Sequence, residues 1–357
     1  MASLQLFLIG APRAGKSSVF DALTNTPDGP NCATKGGHRI GNVKVPDARL
    51  EALRTMYKPE KFTPAEVTFV DVVPPPSAEE KKALSQISAF LGDADAFVLV
   101  VQAFGDYDGH GKPLDSAAQL ESVALELVFS DLERVETRLD RIAQDRKRGL
   151  KVQESEATVL TRFKELLEAG TALRGVELKP DEEKIIASFR FLSRKPLLVV
   201  ANVSETRLDG SGLDGVQKAA TAQGAALLTF CASLEAEIAG LAPDAQAEFL
   251  KDYGIPEPAR IRLIQSAYSL LDLIGFFTVG EDEVRAWTIR RGTKAQGAAG
   301  KIHSDIERGF IRAETVASEE LLKTQSWNAC RDNATLRLEG KEYEVKDGDV
   351  INFRFNA

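Results

Sequence analysis

Gln5-Leu6-Phe7-Leu8-Ile9-Gly10-Ala11-Pro12-Arg13-Ala14-Gly15-Lys16-Ser17 decides the fold of this 357-residue chain. The apolar run Gln5 to Ile9 suits a strand buried on both faces of a parallel sheet. Gly10 to Ser17 matches GxxxxGK[ST], and a helical pattern from Ser17 to Leu23 opens behind it. In that strand–loop–helix setting the glycines let the backbone curl so that its N–H groups face phosphate oxygens. The helix N-terminus adds partial positive charge. Lys16 is read as bridging the β and γ phosphates, and Ser17 as a hydroxyl ligand of Mg²⁺. The phosphate-binding set is Gly10, Ala11, Pro12, Arg13, Ala14, Gly15, Lys16, Ser17 and Ser18.

Similar apolar runs recur at Val67–Val70, Phe97–Val101, Leu197–Val200 and Ala226–Phe230, with helical patterns between several of them. That alternation predicts an α/β sheet wound by right-handed crossovers. Asp71 ends the second run, where P-loop proteins carry the acid that helps hold Mg²⁺; a turn or cap residue is the plainer role. Asn202-Val203-Ser204-Glu205 follows the fourth run, where GTPases carry Asn-Lys-x-Asp. There the Asp carboxylate accepts two N–H groups of guanine. Adenine offers one N–H₂ donor beside a ring-nitrogen acceptor, so a carboxylate cannot serve both. Glu205 adds a methylene that displaces the carboxylate. Asn202 could donate to N7, which both purines present. Val203 lies between them, and Cys231, Ala232 and Ser233 follow the next run, placed to frame the base. A polar loop without base contact is the plainer alternative.

From about residue 120 to 190 the pattern changes. Ala124, Val128, Leu132, Val135, Leu139 and Ile142 fall at helical-seam spacing, and a second pattern returns through Val159, Phe163, Leu166, Leu167 and Leu173. Arg146-Lys147-Arg148-Gly149 reads as the turn between two antiparallel helices. Toward the C-terminus Ile351, Phe353 and Phe355 alternate with polar residues as a half-buried strand. Leu336-Arg337-Leu338 and Tyr343-Glu344-Val345 flank a hairpin signal. Trp287 and Ile289 suggest another strand, and 302–309 a short helix.

Hydrophobic residues make up 43% and charged residues 27%, an ordinary globular composition that excludes a disordered or collagen-like chain. Lys and Arg total 45 against 53 Asp and Glu, a net charge of -8, which disfavours indiscriminate nucleic-acid binding. Neither DNA nor a membrane is an expected partner. Cys32, Cys231 and Cys330 are widely spaced, which suits a reducing compartment and predicts a cytoplasmic protein. His38, His110 and His303 are too scattered to suggest a metal site. The basic stretch 285–312 and Arg146–Arg148 are candidate RNA contacts or solvated surface.

These motifs resemble the YchF, or Obg-like ATPase, family. The resemblance rests on Gly10–Ser17, on Asn202–Glu205 and most strongly on the C-terminus: Glu283–Thr288, Ala299–Asp305, Gly309–Glu314, Lys346–Val350 and Phe353–Asn356. It implies a P-loop G domain over 1–119 and 195–274, an inserted helical coiled-coil hairpin over 120–194, and a β-grasp TGS α+β domain over 275–357. It implies Mg²⁺ with ATP, preferred over GTP, and association with ribosomes or RNA through the hairpin and TGS domain. Two segments depart from the family. Its Asp-x-x-Gly becomes Asp71-Val72-Val73-Pro74, and Pro74 has no N–H to offer the γ-phosphate. The first switch is altered, with Thr34 the nearest candidate Mg²⁺ ligand. The expectation is an ATP-preferring, ribosome- or translation-associated nucleotide-binding protein of slow turnover. The alternatives are a non-hydrolysing, nucleotide-stabilised ribosome-binding module and a conventional GTP-binding protein. No side-chain catalytic base is identified.

Overall fold

The protein is described by a computed structural model over residues 4–26, 29–30, 32–35, 37–72 and 87–356. It forms two compact units, Leu4–Asn42 with Thr68–Leu263, and Val43–Val67 with Ile264–Ala357.

The first unit is built on a seven-stranded sheet. In spatial order its strands are Ala226–Phe230, Leu197–Val203, Ala96–Ala103, Gln5–Ile9, Glu66–Asp71, His38–Lys44 and Cys32–Lys35. Gln5–Ile9 runs parallel to both neighbours, with Leu8 level with Asp71 and Ile9 with Leu99. Every residue of Ala96–Ala103 and Leu197–Val203 is buried, as continuous apolar runs in a two-sided parallel sheet require. Gly10, Asp71 and the residues after Val203 and Phe230 therefore emerge together at the carboxyl edge, where open α/β sheets bind ligands.

The predicted hairpin is present as helices Ser116–Lys147 and Glu154–Glu168. Val128, Val135 and Ile142 pack against Ala157, Leu160, Phe163 and Leu167, with Leu132 and Leu139 half-buried beside them. Leu173 lies beyond the second helix in a short 3-10 turn but joins the same core. Arg138 grips Glu156 through two bonds of 2.7 and 2.8 Å across the pair. At the base, buried Asp131 accepts the backbone N–H groups of Leu192 and Ser193 at 2.8 and 2.7 Å. At the tip, Arg146 pairs with Glu154, and Gly149 takes the left-handed conformation that ends the first helix.

The second unit is a six-stranded sheet, in order Arg337–Glu339, Phe310–Ala317, Asp349–Phe355, Leu273–Val279, Glu283–Arg290 and Lys61–Thr63. Segment Val43–Val67, which the sequence reading groups with the first domain, belongs here. Lys61–Thr63 pairs in parallel with Glu283–Arg285, and helix Ala48–Tyr57 buries Leu50 and Leu53 with Phe277, Val284 and Val350. The hairpin expected between 336–338 and 343–345 does not form. Arg337–Glu339 pairs instead with Ala313–Thr315, and Tyr343 and Val345 turn into an apolar cluster with Ile351 and Phe353. The Tyr343 hydroxyl donates to Asp349 at 2.8 Å, which holds that connection against the sheet.

Candidate nucleotide site

The strand Gln5–Ile9 ends at Gly10, and the helix Lys16–Thr24 begins at the motif lysine. Two glycines make the loop between them possible. A Cβ on Gly10 would stand 2.2 Å from the Val100 carbonyl oxygen, and one on Gly15 2.2 Å from Asn202 Nδ2; both have positive φ. Lys16 Nζ donates to the Gly10 and Ala11 carbonyls, each at 2.9 Å. Burial holds its ammonium below the ordinary lysine pKa, while the Asp71 carboxylate works in the opposite direction. Ser17 and Ser18 are exposed on the first turn of the helix.

Asp71 is 1% exposed, and neither carboxylate oxygen accepts a hydrogen bond among the described residues. A buried carboxylate without a hydrogen-bond donor leaves its lone pairs open to a further ligand. Arg39 stands 3.7 Å away, pairs also with Asp21, and lies over the Phe20 ring at 4.5 Å. Buried His38 stacks on Phe90 with centroids 4.0 Å apart; burial lowers its pKa and Asp71 opposes the shift. The carboxylate of Asp71 and the hydroxyl of Ser17 are hard oxygen donors that fit Mg²⁺, an ion that usually takes one or two protein ligands and completes its shell with water and phosphate. Among the described residues no group of three or more His, Cys, Asp or Glu could hold a metal by itself. Thr34 is not brought to this place. It is exposed on the edge strand opposite Arg39, with the His38–Lys44 strand between it and Asp71. Pro74 lies outside the described residues.

Asn202 joins the loop 10–15 to the turn at 231–233. Its Nδ2 donates to the Ala14 carbonyl at 3.2 Å, and its Oδ1 accepts from the Ala232 N–H at 3.2 Å. Both amide atoms are thus bonded within the protein, one of the two Nδ2 donors to Ala14. Glu205 is exposed at the start of a short turn, where it accepts from Ser233 Oγ at 3.4 Å. Cys231 is buried and lies 3.3 Å from Ser233 Oγ, Val203 is buried, and Ala232 opens helix Ala232–Gly240. Asn202, Glu205 and the 231–233 turn therefore form one connected structure beside the P-loop.

Two residues here, Arg39 and Asp21, carry no signal in the local sequence. Arg39 meets Asp71 only through sheet order, and Asp21 meets Arg39 from the helix after the P-loop. Arg13 donates to the Gly109 carbonyl at 2.8 Å, tying the P-loop to the loop after Ala103. His303 caps helix Ser304–Arg308 by accepting from Asp305 N–H. Among the described residues, cations of the stretch 285–312 pair with carboxylates, Arg285 with Glu283, Arg291 with Asp272, Lys294 with Glu342 and Arg308 with Asp305, which thins the basic face. Among the described residues no helix is long and apolar enough to cross a membrane.

A family model named YchF-GTPase_C, described as a protein of unknown function (DUF933), matches residues 273–356. The chain is 38% identical to the ribosome-binding ATPase YchF of Bacillus subtilis and 37% identical to that of Haemophilus influenzae, with 98% of both chains covered in each case. A solved structure of the Schizosaccharomyces pombe YchF GTPase aligns with a TM-score of 0.83 at 27% identity, covering 99% of this chain and 98% of that one.

Proposed function

The chain belongs to the YchF family, and from that premise we propose that it is a cytoplasmic, ATP-preferring P-loop nucleotide hydrolase that associates with ribosomes. The strongest support is the Asn202 bridge from Ala14 to Ala232, which holds a phosphate loop and a base loop in fixed register at the carboxyl edge of the sheet. In this reading the N–H groups of Gly10–Ser17 cradle the phosphates, and Lys16 pairs with the β and γ oxygens. Ser17 and Asp71 would hold Mg²⁺, which neutralises phosphate charge when bound. Glu205, directed to Ser233, lacks the Asp geometry that guanine requires.

A second reading is favoured by Asp71-Val72-Val73-Pro74. Without an N–H at Pro74 one γ-phosphate donor is gone, and losing one such donor costs roughly 10²–10³ in rate. Nucleotide would then act mainly as a bound stabiliser of a ribosome-binding protein, with turnover slow.

Lys16→Ala tests the site itself. Charge-assisted bonds are worth about 1.5–3 kcal/mol each, so calorimetry should show ATP affinity falling roughly tenfold or more with the fold intact. Equal affinity in the variant would overturn the assignment.

A further inference from the structure

Arg13 occupies the fourth position of GxxxxGK[ST], inside the phosphate cradle. Its backbone φ is +63°, the left-handed region that a side-chain-bearing residue enters only at a cost. What it gains among the described residues is small. Its guanidinium makes one exposed hydrogen bond, to the Gly109 carbonyl at 2.8 Å, and no ion pair. That bond goes to a neutral carbonyl, so the guanidinium charge has no counter-charge among the described residues. A cation with no carboxylate partner among the described residues, carried on a phosphate-binding loop, points to an anion as its partner.

A Cβ on Gly109 would meet Arg13 Cδ at 3.0 Å, so the glycine lets the arginine stem lie along the loop. The loop needs no help from Arg13. Asp108 accepts the N–H groups of His110 and Lys112 at 2.8 and 2.9 Å, and Gln102 Nε2 donates to the Phe104 and Tyr107 carbonyls. The loop is therefore a preformed rest for the guanidinium, which can leave without unravelling it.

We propose that Arg13 is an arginine finger supplied from within the P-loop: its guanidinium moves from the Gly109 carbonyl to the phosphates and stabilises the charge that develops as the β–γ bond of ATP breaks. This rests on the nucleotide reading above. In the step, water oxygen bonds to the γ-phosphorus and the bond from that phosphorus to the bridging oxygen breaks. ADP keeps the electron pair, inorganic phosphate leaves, and the proton from water passes to solvent. Arg13 gives and takes no proton, as its guanidinium stays charged. A positive charge placed here offsets part of what the missing Pro74 donor removes.

The test uses the full-length protein, Arg13→Ala and Arg13→Lys, with ATP, ADP, and ADP plus aluminium fluoride as a mimic of the phosphoryl group in flight. Single-turnover hydrolysis should fall roughly a hundredfold in Arg13→Ala, and affinity for ADP–aluminium fluoride should fall in proportion. ATP and ADP affinities should stay within about threefold of wild type, because the cradle binds through backbone N–H groups that the substitution leaves in place. Arg13→Lys should recover part of both losses. If Arg13→Ala weakens ATP and the aluminium fluoride complex equally, or weakens neither, the finger is excluded while the nucleotide site stands. If wild type binds neither ATP nor ADP, the nucleotide reading fails and the finger falls with it.

Discussion

Asn202 shows how much one side chain can carry. Its amide satisfies the Ala14 carbonyl on one side and the Ala232 N–H on the other, and it fills the space that a Cβ on Gly15 would need. Asn202→Ala strands a buried donor and a buried acceptor, at about 1–3 kcal/mol for each unsatisfied group. Thermal stability and ATP affinity should drop together, the second because Ala14 loses its tether. Scanning calorimetry and titration read both; wild-type values for the two would contradict the bridge. The P-loop was legible in the sequence because its signal is local: two glycines, a lysine and a serine at fixed spacing after an apolar run. The Asn202 bridge was not, since its partners at 14 and 232 meet it only through the parallel sheet. The same holds for Arg13 with Gly109 and for Arg39 with Asp71.

The helical hairpin was readable as an element, because a seam of Val128, Val135 and Ile142 survives any detail of side-chain packing. Its anchoring was not readable. Asp131 sits among charged neighbours in a helix that is polar on most faces, and nothing local marks it as buried. Its carboxylate ties the hairpin to the start of the strand region through Leu192 and Ser193. Burial raises its pKa above the usual carboxylate value, with the two backbone bonds opposing. Between the ordinary and the raised value the folded state holds a proton that the unfolded chain has released. Stability from this group therefore falls as pH rises through that interval. Asp131→Ala should flatten that slope and lower the urea midpoint, since two N–H groups are left buried at about 1–3 kcal/mol each. A midpoint and slope equal to wild type across a pH series would show that Asp131 does not anchor the hairpin.

At the scale of the molecule, fold class and element order followed from alternating apolar runs and helical patterns. The division of the chain did not. Val43–Val67 folds with Ile264–Ala357 because Leu50 and Leu53 find their apolar partners on strands more than 200 residues away, and Lys61–Thr63 finds its ladder on Glu283–Arg285. Such pairing leaves no mark on the local pattern of a short amphipathic helix. What unites the two scales is the carboxyl edge of the seven-stranded sheet, where three strand ends deliver Lys16, Asp71, and Asn202 with Glu205. The choice of nucleotide tests that assembly most directly. ATP and GTP titrated side by side into the full-length protein with Mg²⁺ should give ATP the tighter binding by tenfold or more, about 1.4 kcal/mol. Equal affinities, or a tenfold preference for GTP, would contradict the assignment of Asn202–Glu205 as an adenine-tolerant, guanine-averse base loop.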